Sequence, residues 1–319
     1  MTRPEAPVSR ADIEAAARRI QQDNSHFIRR TPLWILPGQA FGSRAAEVWL
    51  KLEHLQVGGS FKARGMLNRL LSHPIPDSGV IVASGGNAGI ATAAAAKELG
   101  VRCEVFVPEI SSRSKRARLA ALGATVVVGG AAYSDALQAC TVRQQETGAL
   151  LTHAYDQPEV LTGAGTLALE IEQQGGVPDS VLVSVGGGGL IGGVASWFGQ
   201  RSRVVALEPE LAPTLFRARE AGEPVDVAVS GIAADSLGAR RIGSLAWGAT
   251  QANVRDALLL SDESIRAAQL WLWKELKLAV EPAAALPLAA LHTGCYTPRG
   301  DEKVCLIICG ANLDPATLA

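Results

Sequence analysis

The sequence predicts two α/β lobes, each built on a buried parallel sheet and facing a shared cleft. One observation is a repeated order of β-branched apolar run, small-residue loop and helical period. Another is a pair of glycine-rich strand–loop–helix units about a hundred residues apart. The third is composition: 319 residues, 48% hydrophobic and 19% charged, with 33 glycines. Charge below the usual ~25% and glycine above the usual ~7% suit buried strands and tight loops. Continuous apolar strands alternating with helices are the pattern of sheets covered on both faces.

The elements follow in order. Ser9 and Asp12 read as a helix start before Ile13, Ala16, Ala17 and Ile20. Val48 to Leu52 is a strand. Gly79 to Ala83 is a second strand, followed by a Ser84–Asn87 loop and an alanine-rich helix from Ala88 to Leu99 that Gly100 ends. Cys103 to Val107 is a strand that meets Pro108, and a helix from about Ser112 to Leu122 stops at Gly123. Thr125 to Val128 resumes as strand. Later come the strand Ser180–Val185, the loop Gly186–Gly189, the helix Leu190–Phe198, and the strands Arg203–Leu207 and Val304–Ile308. The smaller lobe is placed at residues 56–154, inserted into a larger lobe made of residues 1–55 and 155–319.

Several classes are set aside. A net charge of -1 argues against a general nucleic-acid or membrane-surface binder. The N-terminus lacks the apolar core of a signal peptide, and no apolar run approaches ~18 residues. Five cysteines without framework spacing read as free thiols, so the expected compartment is the cytoplasm. Cys305 and Cys309 have no second pair nearby, which disfavours structural zinc. The five histidines are scattered, with no H-E-x-x-H pair, and no G-x-S-x-G elbow occurs. Arg113, Lys115, Arg116 and Arg118 read as a solvated helix face, and Trp271 and Trp273 as packing.

Four constellations carry chemistry. In Gly59-Ser60-Phe61-Lys62-Ala63-Arg64-Gly65, the serine is expected to cap a helix whose first turn holds Lys62. Helix N–H groups and a desolvated cleft would lower that amine's pKa and make it a nucleophile, although an isolated first-turn lysine is ordinarily solvated. Ser84-Gly85-Gly86-Asn87-Ala88-Gly89 would make an anion pocket suited to a carboxylate, with Asn87 donating from its side chain; an ordinary Asn-capped turn is the plain alternative. Gly186-Gly187-Gly188-Gly189 costs backbone entropy, so close approach of a ligand to backbone is the expected reason, as in a phosphate cradle. A rival reading takes Gly187, Gly189 and Gly192 as a dinucleotide fingerprint with Glu208 as its acidic partner, giving an NAD-dependent oxidoreductase. Cys309, at the end of an apolar strand, could donate to a ring nitrogen or be a small buried hydrophobe.

Together the lysine, the asparagine loop, the tetraglycine and the terminal cysteine resemble the fold-type-II pyridoxal-phosphate enzymes (tryptophan synthase β-like). Within them the chain is similar to the L-serine/L-threonine dehydratases, or ammonia-lyases, a branch shared with serine racemase. The resemblance runs from Arg30-Thr31-Pro32-Leu33 through Lys51-Leu52-Glu53 to Cys309-Gly310. It implies that Lys62 holds pyridoxal phosphate (PLP) as a Schiff base with Phe61 against the ring. It implies Asn87 at the phenolic oxygen, Gly186 to Gly189 at the phosphate and Cys309 at the pyridine nitrogen. Ser84, Gly85 and Ala88 would hold the substrate carboxylate. The implied reaction is β-elimination: substrate displaces Lys62, the freed amine takes the Cα proton, a β-hydroxyl leaves, and a 2-oxo acid and ammonia result.

Departures from the family pattern refine the expectation. Racemases carry a second serine two residues before the asparagine; here that position is Gly85, so racemization is disfavoured. β-Replacing enzymes of the cysteine-synthase type usually have threonine or serine after the asparagine, where this chain has Ala88. The family's cation site maps to Glu208, the Ala212 carbonyl and Thr214, with the carbonyls of Leu237 and Ala239, and its low charge suits K+. The sequence ends ten residues after Cys309, so no regulatory domain and no isoleucine feedback are expected. The resemblance also implies a homodimer.

Overall fold

The computed structural model describes residues 7–24 and 26–318. Helix α1 (Arg10–Asn24) precedes strands β1 (Leu33–Pro37) and β2 (Glu47–Lys51). Helix α2 (Lys62–Leu71) leads into β3 (Val80–Ala83), α3 (Asn87–Glu98), β4 (Cys103–Val107), α4 (Arg113–Ala121), β5 (Thr125–Val128), α5 (Tyr133–Thr147) and β6 (Leu150–Leu151). Then come α6 (Pro158–Gly175), β7 (Ser180–Ser184), α7 (Gly189–Phe198), β8 (Arg203–Pro209) and α8 (Thr214–Ala221). The chain continues through α9 (Ser244–Asn253), β9 (Val254–Leu260), α10 (Asp262–Leu276), α11 (Pro282–His292) and β10 (Lys303–Ile307).

Two sheets result, with strand orders β1-β2-β10-β7-β8-β9 and β5-β4-β3-β6. The four-stranded sheet is entirely parallel. In the six-stranded sheet β10 enters between β2 and β7, so strands from both ends of the chain share one layer. The expectation of purely parallel sheets fails at one edge, where β1 pairs antiparallel with β2. The short β1–β2 connection allows this, because a parallel neighbour needs a crossover of about a dozen residues or more. Trp34 and Ile35 stay exposed on that edge.

The central strands bury both faces. Val181, Leu182 and Val183 are inaccessible, as are Val205, Ala206 and Leu207. That is why they read as unbroken apolar runs. Ser9 and Asp12 do start α1: the Ser9 N–H donates to Asp12 Oδ2 (2.8 Å), and the Asp12 N–H donates back to Ser9 Oγ (3.3 Å). Ser112 caps α4 by accepting the Lys115 N–H. Gly100 and Gly123 take left-handed φ just past α3 and α4, ending both helices. Trp271 packs between Phe41 and His292, but Trp273 is exposed, so only one of the two is a packing residue. The basic face of α4 is not wholly solvated either, since Lys115 pairs with Asp235.

Candidate active site

Lys62 is the first residue of α2, half-buried, and its Nζ donates to the Ala154 carbonyl at 2.5 Å. Burial pulls its pKa from 10.5 down to about 8, against an opposing pull from Cys309 and Glu281. The Phe61 ring lies 5.1 Å from the amine. Ser60 does not cap the helix as expected. It pairs with Gly310 as a short antiparallel bridge, and its buried hydroxyl has no partner. The Phe61 N–H donates to the Cys309 carbonyl at 3.1 Å, tying the start of α2 to the chain just past β10.

A buried ion network, which the sequence reading misses, fixes α2 from behind. Arg64 donates to both Glu53 oxygens (2.8 and 2.7 Å) and to Glu170 (3.0 Å). Lys51 donates to Glu170 (2.5 Å), the Thr31 carbonyl (2.8 Å) and Gln174 (2.9 Å). Burial alone would raise the Glu53 carboxyl, but the Arg64 guanidinium outweighs it and holds the group ionised. Two cations therefore meet two carboxylates, joining β2, α2 and α6. The available signal is a pair of opposite charges, Lys51 and Glu53, at the end of an apolar strand.

Asn87 opens α3, with Gly86 rather than Asn87 at the cap position, so it is not a capping asparagine. Its Nδ2 lies 3.0 and 3.1 Å from the two oxygens of Glu281, and its Oδ1 accepts from Asn312 Nδ2 at 2.5 Å. Ser84 Oγ accepts the Gly86 N–H at 3.3 Å; Ala88 is buried behind the loop, and Val107 and Ser111 back onto Gly85. Glu281 is not among the residues the sequence singles out, and Asn312, in the run Cys309-Gly310-Ala311-Asn312, is assigned no role by it. A lone carboxylate in Ala279-Val280-Glu281-Pro282-Ala283-Ala284 is the available signal. Burial raises the Glu281 carboxyl to about 7. Burial and the neighbouring Glu281 push the Cys309 thiol well up, so it stays protonated.

The tetraglycine joins β7 to α7. Gly188 has φ 90°, and a Cβ on Gly187 would lie 2.3 Å from the Tyr155 ring. These two glycines are thus required by backbone conformation and by protein packing, without the ligand approach that the sequence reading invokes. The first N–H groups of α7 have no acceptor within their own helix. Ala154, which holds Lys62, immediately precedes Tyr155, so one short segment touches both the lysine and the glycine loop.

Of the predicted cation ligands, Glu208 and Thr214 do come together. Glu208 is fully buried, accepting from the Thr214 hydroxyl (2.9 Å) and from the N–H groups of Leu215 (2.7 Å) and Phe216 (2.7 Å). Ala212 accepts the Thr214 N–H (3.2 Å), and Leu237, two residues before Ala239, backs onto Gly186. A fully buried carboxylate beneath the start of α8 cannot reach a ribose, which removes the physical basis of the dinucleotide fingerprint. Among the described residues no group of three or more His, Cys, Asp and Glu side chains could hold a metal, and no helix is long and apolar enough to cross a membrane.

Fold and site define a two-sheet α/β protein whose centre is a half-buried lysine of lowered pKa set among glycine-rich helix starts. Residues 25–310 match the family described as pyridoxal-phosphate dependent enzyme. The chain is 36% identical over 279 residues to an L-threonine ammonia-lyase of Geobacter sulfurreducens, covering 85% of this chain and 69% of that one. It is 33% identical to a phenylserine dehydratase of Ralstonia pickettii, over 92% and 91% of the two chains. Among solved structures, maize serine racemase superposes with a TM-score of 0.90 at 29% identity, covering 98% of this chain and 95% of that one. A threonine deaminase from T.th. superposes with a TM-score of 0.87 at 35% identity, over 96% and 99% of the two chains. The chain belongs to the pyridoxal-phosphate dependent enzyme family, with the fold-type-II architecture.

Proposed function

We propose that this chain is a PLP-dependent dehydratase of a small L-β-hydroxy amino acid, serine or threonine, releasing a 2-oxo acid and ammonia. The observation that carries it is the geometry around Lys62: its amine is held by the single Ala154 carbonyl (2.5 Å) beside the Phe61 ring, and the Phe61 N–H ties the start of α2 to the Cys309 carbonyl (3.1 Å). Relatives named as threonine ammonia-lyases and a phenylserine dehydratase support the reaction class.

The residues present fit the cofactor. Lys62 supplies an amine held by a single carbonyl, Phe61 a ring face beside it, Asn87 an amide donor, and Gly186 to Gly189 the N–H groups at the start of α7 for the phosphate. The buried, unpartnered Ser60 hydroxyl next to this cluster marks a polar site without a protein partner. When bound, PLP withdraws electrons from the substrate's Cα and so acidifies its C–H bond. Lys62 Nζ, its pKa lowered to about 8, would take the Cα proton. Ser84, Gly85 and Ala88 at the start of α3 would anchor the substrate carboxylate. Cys309 would offer the ring nitrogen a weak S–H donor and no negative charge, leaving that nitrogen largely unprotonated and favouring prompt loss of the β-hydroxyl. Gly85 has no group to move a proton on the opposite face, which weighs against racemization.

A K+ ion is proposed at Glu208, Ala212, Thr214, Leu237 and Ala239. Its support is a surplus of acceptors: the single Thr214 hydroxyl proton faces both the Gly186 carbonyl (2.6 Å) and Glu208. Residues 56–154 are proposed as the smaller lobe, and the molecule as a cytoplasmic homodimer, for which five unpaired thiols suit a reducing compartment. The test is the visible spectrum of the PLP-loaded protein during addition of L-threonine, L-serine and L-phenylserine, with 2-oxo acid measured in parallel. A shifting band with 2-oxo acid from serine or threonine is expected. A shifting band without it for any of the three would overturn the elimination reading, and product from phenylserine alone would overturn the small-substrate one.

A further inference from the structure

Glu281 sits immediately before α11, 4% exposed, with both carboxylate oxygens facing the Asn87 NH2 group. On the other side of that amide, Asn312 Nδ2 donates to Asn87 Oδ1 at 2.5 Å and to the Gly58 carbonyl at 2.8 Å. The Gly58 carbonyl at one end of this chain of contacts can only accept, and the Glu281 carboxyl at the other keeps an accepting oxygen whether ionised or protonated. Each amide orientation between them follows. Asn312 must point its NH2 at Gly58, so it also presents NH2 to Asn87; Asn87 must answer with its oxygen and turn its own NH2 to Glu281. Turning the Asn87 amide over would set its NH2 against the Asn312 NH2 and, with Glu281 ionised, its oxygen against the carboxylate.

The carboxylate is itself held. The Glu281 N–H donates to the Gly310 carbonyl at 3.1 Å. A Cβ at position 310 would lie 2.4 Å from Glu281 Oε1, so only glycine there leaves room for the carboxylate. The strand end that carries Cys309 and the loop that carries Asn87 therefore meet through one buried acid.

We infer that Glu281, with Asn312, is the positioning residue of Asn87, fixing the amide so that it offers NH2 and never its carbonyl to the phenolic oxygen of the cofactor. This rests on the reading of Asn87 as a cofactor contact given above. The test is the PLP dissociation constant of the full-length protein, followed by its visible band, with thermal midpoint as the control for folding. Glu281→Leu should weaken PLP binding about tenfold, and Glu281→Gln, which keeps an acceptor oxygen toward Asn87, should recover it to within about threefold. In an Asn87→Ala background Glu281→Leu should add less than about twofold, because its target is gone. A full, additive loss in that background would overturn the inference, as would an unchanged constant in Glu281→Leu alone. If Glu281→Leu fails to fold, Asn312→Ala runs the same cycle from the other side of the amide with the same criteria. A parent chain that took up no PLP would overturn the cofactor reading and the inference with it, whereas normal uptake with additive effects would overturn the inference alone.

Discussion

Lys51 and Lys62 flank the same short stretch of chain, and both are buried enough that desolvation lowers their pKa. Lys51 uses all three of its protons, on a carboxylate, an amide oxygen and a carbonyl. Glu53 and Glu170 oppose that lowering, so burial is met here by committed negative charge. Lys62 has one carbonyl, and the acids near it are themselves held toward their neutral forms by burial. Burial is common to both lysines; what differs is whether a committed negative charge comes with it. A matched lysine holds the fold, and an unmatched one has a lowered pKa that leaves a share of free amine able to attack a carbonyl.

The largest effect that would sharpen this contrast is on turnover. Lys62→Ala should lower 2-oxo acid formation by at least about a thousandfold with a thermal midpoint close to the parent's. Retained turnover would break the comparison at its catalytic end. Lys51 and its partners should respond the other way. Arg64→Met strands Glu53 without its guanidinium, while Glu170 keeps Lys51, and should cost about 3–5 kcal/mol in urea unfolding, the penalty of an uncompensated buried charge. A loss below about 1 kcal/mol would mean that the network does not anchor α2.

A pH series tests the amine itself. With its pKa near 8, Lys62 gains free base as pH rises toward 8 and is mostly free base above it. PLP capture by the PLP-free protein should therefore quicken about tenfold per pH unit below 8 and level off above it. A rate still climbing toward pH 10 would indicate an ordinary solvated lysine. The smallest effect is a control for the buried pairs: Arg217 and Glu220 form an exposed ion pair on α8, and Glu220→Gln should change stability by less than about 0.5 kcal/mol.

What can be read in the sequence depends on how locally each feature is encoded. The parallel strands are legible because Val181–Val183 and Val205–Leu207 are apolar on both faces, and helix ends are legible where Ser9, Ser112, Gly100 and Gly123 carry their own conformational signals. Lys62, Asn87, Gly186 to Gly189 and Cys309 are legible as candidates because each lies in a short motif at a strand or helix end. Glu281 and Asn312 are not, because nothing near them in sequence says that they meet Asn87; that contact exists only once α11 and the strand end at Cys309 are packed together. Arg64 is hidden inside the lysine motif, and its partners Glu53 and Glu170 lie on different elements. Ser60 misleads for the opposite reason: its local signal for a cap is genuine, but the bridge to Gly310 takes the backbone elsewhere. The tetraglycine stands out in the sequence for an incomplete reason, since the Tyr155 ring that crowds it comes from another segment.

Reducing the PLP-loaded protein with borohydride, digesting it and locating the cofactor-bearing lysine by mass spectrometry separates the two lysines directly. The label should fall on Lys62 alone, and Lys51, nearby in sequence and inaccessible, should carry none. Label on Lys51, or spread over exposed lysines such as Lys274 with Lys62 unmodified, would contradict the Schiff-base role of Lys62.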